Sequence, residues 1–249
     1  MLTEAALSRA LERAGLHAPA RFDEVTRSTQ ATALELASAG APEWSLVAAG
    51  HQTEGRGRLG RTWRDEPGNA LMFSLVLRPG LAAERGGLLS LLAGVALVDA
   101  CRPHTAGPAC KWPNDLLVDG RKAGGMLLES RLAEASIEHA VLGVGVNLGA
   151  PPADVPTAGA VDAEPEDLLA AFLSAFAARY EPSSEGFASS IVAEYRARCA
   201  TLGLRVRATT VDGRDVEGVA DDVDEAGGLV VRTGEKTETV RFGEVRHLE

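Results

Sequence analysis

Four stretches of this 249-residue chain carry residue types that can do chemistry. The first is GRGRLGRTW, residues 55–63. Its glycines let the backbone approach a ligand closely, and Arg56, Arg58 and Arg61 are spaced to converge when the loop closes. Residues 51–64 hold four Arg against one Glu, a local positive excess in a chain whose net charge is -10. Such a loop suits phosphates, and Trp63 ends it with a flat ring that can cover a base or shield a ligand. It is not a Walker loop, because no GK[ST] follows. Nor is it a Rossmann fingerprint, because it does not run from a strand into a helix.

The second stretch is KWPNDLLVDGRKAGGMLLE, residues 111–129. Pro113 blocks a helix, so Lys111, Asn114 and Asp115 belong on a turn between strands. Asp119–Gly120 predicts a tight hairpin whose return strand starts near Lys122, with Gly124 and Gly125 beside it. Folding back brings Lys111, Asp115 and Lys122 to one end of a sheet. The chain contains only three lysines, Lys111, Lys122 and Lys236, and writes its other positive charges as Arg. A compact ammonium beside a reacting carboxylate or phosphate is not replaceable by a guanidinium, which gives a reason for Lys at 111 and 122. The third stretch, GVGVNLG at 143–149, reads first as a buried strand, with Asn147 at its end a candidate polar contact. The fourth, Ser28–Thr29–Gln30, reads first as a helix entrance.

Hydrophobic periodicity supplies the elements that must hold these residues. Helices are expected at 3–14, with Thr3 as N-cap and Gly15 as stop, at 28–40, at 87–101 (apolar nearly all round and therefore buried), at 166–180 and at 186–201. Strands are expected at 45–50, 70–79, in short segments across 109–132, and at 139–148. Residues 149–165, with four prolines, read as a surface loop. After Leu202 the pattern changes to short alternating strands, RVRATTV, VEGVADDVD, LVVRT and TETVRF, separated by DG, AGG and GE turns. That predicts a small C-terminal SH3-like β-barrel over 203–249, behind a main domain over 1–202.

Composition narrows the function. An acidic chain repels polyanions, which argues against a general nucleic-acid binder, so no DNA partner is expected. Three cysteines without CxxC spacing and five scattered histidines make disulfides and a zinc site poor expectations. The acidic, amphipathic N-terminus is not a signal peptide, and no apolar run reaches the roughly 20 residues of a membrane span. A cytoplasmic protein is expected.

Taken together and in this order, GRGRLGRTW, KWPNDLL, RKAGGMLLE and GVGVN resemble the biotin protein ligases, over about residues 22–248. The resemblance implies an α+β fold, a mixed sheet flanked by helices like the core of class II aminoacyl-tRNA synthetases, followed by the small barrel. It implies activation of biotin by Mg-ATP to biotinyl-AMP and transfer to a lysine of a biotin carboxyl carrier domain of a biotin-dependent carboxylase. By the same resemblance, Ser28, Thr29, Gln30, Gln52, Arg56, Gly57, Arg58, Lys122 and Gly125 line the biotin site. The family commonly has Asn where this chain has Gln30. Arg58, Arg61, Trp63, Lys111, Asn114 and Asn147 contact the nucleotide, and Lys122, Arg58 and Asp115 are catalytic, Asp115 also the candidate for Mg2+. The alternatives are a lipoate or octanoyl ligase and a catalytically inactive biotin-binding regulator. The short helical segment before Arg21 has no room for the winged-helix domain of the DNA-binding members, so a monofunctional ligase is expected, as monomer or weak homodimer.

Overall fold

The computed structural model describes residues 2–150, 155, 157–241 and 243–248. Strand β1 (Ala20–Thr26) pairs in parallel with β2 (Leu46–Gln52). Antiparallel pairs then run through β3 (Ala70–Leu77), β7 (Ser136–Asn147), β6 (Arg121–Ala133), β5 (Asp115–Val118) and β4 (Ala109–Lys111). The result is a mixed seven-stranded sheet in the order β1-β2-β3-β7-β6-β5-β4.

The two faces of this sheet are covered unequally. Helices α1 (Glu4–Arg13), α3 (Gly87–Cys101), α4 (Pro165–Ala177) and α5 (Phe187–Arg196) share one core with Leu46, Phe73, Leu75 and Leu142. α3 buries twelve of its fifteen residues, as an all-round apolar helix must. The other face carries α2 (Thr29–Ser38), whose Ala33 and Ala37 pack on Val47, Val76 and Val141. α2 lies over β2, β3 and part of β7, and the rest of that face is floored by Gly143, Gly145, Gly125 and Leu127. That uncovered floor is where the cleft forms.

The C-terminal strands β8 (Arg205–Thr210), β9 (Asp215–Val223), β10 (Leu229–Thr233), β11 (Lys236–Val240) and β12 (Gly243–His247) make a five-stranded antiparallel sheet, ordered β11-β10-β9-β8-β12. Its inward residues, among them Val206, Ala208, Val231 and Val245, belong to the same apolar cluster as α3 and the large sheet. The two sheets are therefore packed as one body. No described helix is long and apolar enough to cross a membrane.

Three expectations need correction. β1 and β12 lack a clear apolar alternation and were not expected as strands; each is an edge strand, placed by its neighbour rather than by its own pattern. The last predicted helix ends at Arg196, because Cys199 and Ala200 leave it to pair with Cys110 on β4. Of the expected 149–165 loop, residues 151–154 and 156 lie outside the described residues, while Ala158 and Val161 bridge Lys122 and Leu148.

Candidate active site

A cleft of about 340 Å³ opens over the uncovered face. Each element delivers its side chain by a local cause. Ser28 sits at the N-cap position of α2, yet its hydroxyl makes no capping bond. Gln52 Oε1 takes that role, accepting from Thr29 N at 2.8 Å and Thr29 Oγ1 at 3.2 Å. Ser28 Oγ is left buried with no hydrogen-bond partner among the described residues, and so is Trp63 Nε1. An orphaned buried polar atom costs about 1–3 kcal/mol, and both of these belong to residues that line the cleft, where a ligand's polar groups can meet them.

The Arg loop is a small hairpin. Gly57 N donates to Arg61 O at 2.7 Å and Trp63 N donates to Gly55 O at 3.0 Å, with Leu59 and Gly60 turning the chain at positive φ. Gly55 has no room for a side chain, since a Cβ there would lie 2.5 Å from Trp63 O. The three arginines line the cleft but lean different ways. Arg56 approaches Glu129 at 3.9 Å, Arg58 Nη1 donates to Asn114 Oδ1 at 3.4 Å, and Arg61 pairs with Glu244 of β12. Burial pushes the Arg58 guanidinium below its ordinary pKa; Glu244 and Asp115 pull it back up, and Arg61 adds to the depression. An arriving anion relieves that strain.

Lys122 owes its direction to a bulge. Asp115 faces Gly125 and Leu116 faces Gly124, but Leu117 faces Lys122, a one-residue slip between β5 and β6. The slip puts Lys122 and Gly125 on the same face, both lining the cleft. Lys122 Nζ then stands 2.5 Å from Asp115 Oδ1. The turn before Asp115 is braced by Asn114, whose Nδ2 donates to Met126 O at 2.6 Å, and Asp119 and Gly120 make the expected tight turn at positive φ.

Of the residues singled out from sequence, Ser28, Thr29, Gln30, Gln52, Arg56, Gly57, Arg58, Arg61, Trp63, Lys111, Asn114, Asp115, Lys122 and Gly125 all line this cleft. Gln30 does so with its amide engaged, Nε2 donating to Val141 O at 3.0 Å and Oε1 accepting from Ser74 at 3.1 Å. Asn147 is not brought to the cleft lining; its Nδ2 donates to Gly159 O at 3.0 Å. Asp115, the candidate for Mg2+, lines the cleft with Oδ1 paired to Lys122 Nζ, and among the described residues no three His, Cys, Asp or Glu group together.

Sequence reasoning missed the floor and one wall. Gly143 and Gly145 were read as strand residues only, although glycine at alternate positions of an apolar strand signals close approach on one face. The wall formed by Glu244, Val245 and Arg246 carries no local motif and depends on how the small sheet docks. Glu244 makes a tether of that wall. Because Arg61 is 64% exposed in this pair, the tether contributes no more than about 1 kcal/mol. Glu244→Ala is therefore expected to speed tryptic cleavage within residues 53–63 of the ligand-free protein by about two- to fivefold. Equal cleavage rates in the two proteins would count against the tether.

The chain matches the model of the biotin/lipoate A/B protein ligase family over residues 22–147 and that of the biotin protein ligase C terminal domain over residues 201–248. It is 38% identical to the biotin–[acetyl-CoA-carboxylase] ligase of Paracoccus denitrificans, across 83% of this chain and 91% of that protein. To the enzyme of the same name from Mycobacterium tuberculosis it is 36% identical, across 90% and 86%. The biotin protein ligase of Aquifex aeolicus, solved in complex with biotin and ATP, shares the fold with a TM-score of 0.76 at 22% identity, covering 92% of this chain and 99% of that one. Sequence and architecture agree, and the chain belongs to the biotin/lipoate A/B protein ligase family.

Proposed function

We propose that the cleft joins biotin to ATP, releasing pyrophosphate and forming biotinyl-5′-AMP, and then passes the biotinyl group to a lysine of a biotin carboxyl carrier domain. The observation that carries this reading is the meeting of Lys122, Arg58 and the orphaned Ser28 hydroxyl in one cleft, in a chain whose relatives are biotin ligases.

The biotin carboxylate, with an ordinary pKa near 4, is ionised at neutral pH and needs no general base. One of its oxygens attacks the α-phosphorus, and the bond from that phosphorus to pyrophosphate breaks. The obstacle is the approach of two anions, so the protein's part is positioned positive charge. Lys122 and Arg58 supply it at the reacting oxygens, and Arg61 and Lys111 along the phosphates. Ser28, Thr29 and Gln52 hold the ring end of biotin, and Trp63 and Asn114 meet the nucleotide. In the second step the acceptor amine attacks the biotinyl carbonyl carbon, the bond from that carbon to the AMP oxygen breaks, and the nitrogen's proton passes to Asp115, one of whose oxygens stays with Lys122. Magnesium carried on ATP would screen the phosphate charge there, beside Arg61 and Lys111. The three cysteines are free, which supports a reducing, cytoplasmic setting.

The test is exchange of labelled pyrophosphate into ATP, followed by transfer to an isolated biotin carboxyl carrier domain. Exchange is expected with biotin and not with lipoate or octanoate. Exchange driven by lipoate alone would replace the reading.

A further inference from the structure

Trp112 stands in the middle of the turn that carries Lys111, Asn114 and Asp115, and it is buried between the two sheets. Its indole Nε1 donates to Gly227 O at 3.0 Å, in the turn between β9 and β10. Its backbone N–H donates to Thr201 Oγ1 at 3.1 Å. Thr201 Oγ1 in turn lies 3.2 Å from His247 Nε2, on β12. β12 is also the strand that walls the cleft with Glu244, Val245 and Arg246. One threonine and one histidine therefore fasten the turn to that wall.

The protons in this chain are constrained. Thr201 is fully buried, so its hydroxyl has no water to turn to. Its oxygen accepts from Trp112, and its own proton has one acceptor among the described residues, His247 Nε2. That bond needs Nε2 unprotonated. Once the ring takes a second proton, Nε2–H and the threonine O–H face each other as two donors, and a buried donor goes unsatisfied.

We propose that Thr201 and His247 are positioning residues for the nucleotide half of the cleft, holding the Lys111–Asp115 turn against β12 only while the imidazole is neutral. The proposal rests on the reading that Lys111 and Asn114 meet ATP. Lys111 is the charged group whose field reaches the ring from β4. Opposite it on β8 stands Val206, and from the segment before β8 comes Thr201, neither of which titrates. Burial first, and the Lys111 charge second, push His247 below the ordinary histidine pKa of 6.5. The joint is thus intact at neutral pH and opens as pH falls through that lowered value.

The test compares wild type, His247→Gln, Thr201→Val and Thr201→Ser by KM for ATP and for biotin, and by calorimetric binding of Mg-ATP, from about pH 8 down to the lowest pH at which all four still melt as folded proteins. Gln offers an oxygen acceptor that does not titrate. ATP's own protonation is common to all four proteins and cancels. On acidification the wild-type KM for ATP is expected to rise about three- to tenfold more than that of His247→Gln, the loss of one buried hydrogen bond, while KM for biotin runs parallel in both. Thr201→Val is expected to weaken ATP binding by a similar factor at the alkaline end, and Thr201→Ser to restore it. Parallel ATP profiles in wild type and His247→Gln, or wild-type ATP binding by a folded Thr201→Val, overturn the positioning role. ATP binding without biotin-dependent exchange in wild type sinks the ligase reading instead, and calorimetry still decides the joint.

Discussion

Lys122→Arg is expected to leave the protein folded and to cut adenylate formation by about 10²–10³, on the order of 3–4 kcal/mol, by analogy with removal of one transition-state donor. On an ordinary surface the change is conservative, and this chain chooses Arg at most of its cationic positions. Position 122 is different because of what surrounds it. The bulge aims Nζ into the cleft, Asp115 Oδ1 fixes it at 2.5 Å, and a Cβ built on Gly125 would lie 3.6 Å from both Cε and Nζ. The ammonium is thus seated over a glycine. A planar, wider guanidinium cannot sit there and still reach between a carboxylate oxygen and an α-phosphate oxygen that are about to bond. Folding is not at stake, since the Lys122 side chain is 48% exposed and an exposed ion pair contributes at most about 1 kcal/mol. Pyrophosphate exchange with biotin, alongside thermal melting, reads both halves. A normally melting variant that exchanges within about threefold of wild type would take Lys122 out of the mechanism.

The site was legible in the sequence wherever one segment carries its own instructions. Arg58 and Trp63 sit in a Gly/Arg loop, Lys111 to Lys122 in a Pro-broken turn and a tight hairpin, and those local signals fix where the side chains emerge. What the sequence does not display is partnership across distance. Trp112 looks like a member of the reactive cluster, yet the fold uses it to pin the turn to Thr201 and Gly227. Asn147 ends the expected strand, yet its amide is spent on Gly159. Ser28 has the residue type and position of an N-cap, and only the arrival of Gln52 from β2 frees its hydroxyl for the cleft.

The fold divides in the same way. Helix α3 and strands β3 and β7 bury most of their side chains, so their apolar runs announced them. β1 and β12 are edge strands with a single fully paired side, and half-exposed strands carry mixed residues with weak alternation. β12 matters more than its five residues suggest, because it alone brings Glu244 and Arg246 to the cleft.

Gly145→Ala is expected to cost biotin-dependent exchange about 10²-fold while moving the melting temperature little. A Cβ at Gly145 would stand 2.7 Å from Trp63 Cε2 and 2.9 Å from Cζ2, closer than real contacts allow. Something must move, and the two sides are not equally free. Gly145 lies on β7, paired with Met72 of β3 on one side and Gly125 of β6 on the other. Trp63 ends a loop held by a few hydrogen bonds and surface ion pairs. The indole will give way, carrying Arg58 and Arg61 out of register with Lys122. The neighbouring glycine supplies the contrast. A Cβ at Gly143 would meet Gln30 Oε1 at 2.5 Å, and that amide is locked between Ser74 and Val141 O in a buried network. Gly143→Ala should therefore lose stability first, by about 1–3 kcal/mol, because the network cannot shift without leaving buried groups unpaired. Melting curves, pyrophosphate exchange and the emission of Trp63 separate the two cases. A Gly145→Ala protein that exchanges like wild type with unchanged tryptophan emission would show that the indole does not need its seat on the sheet.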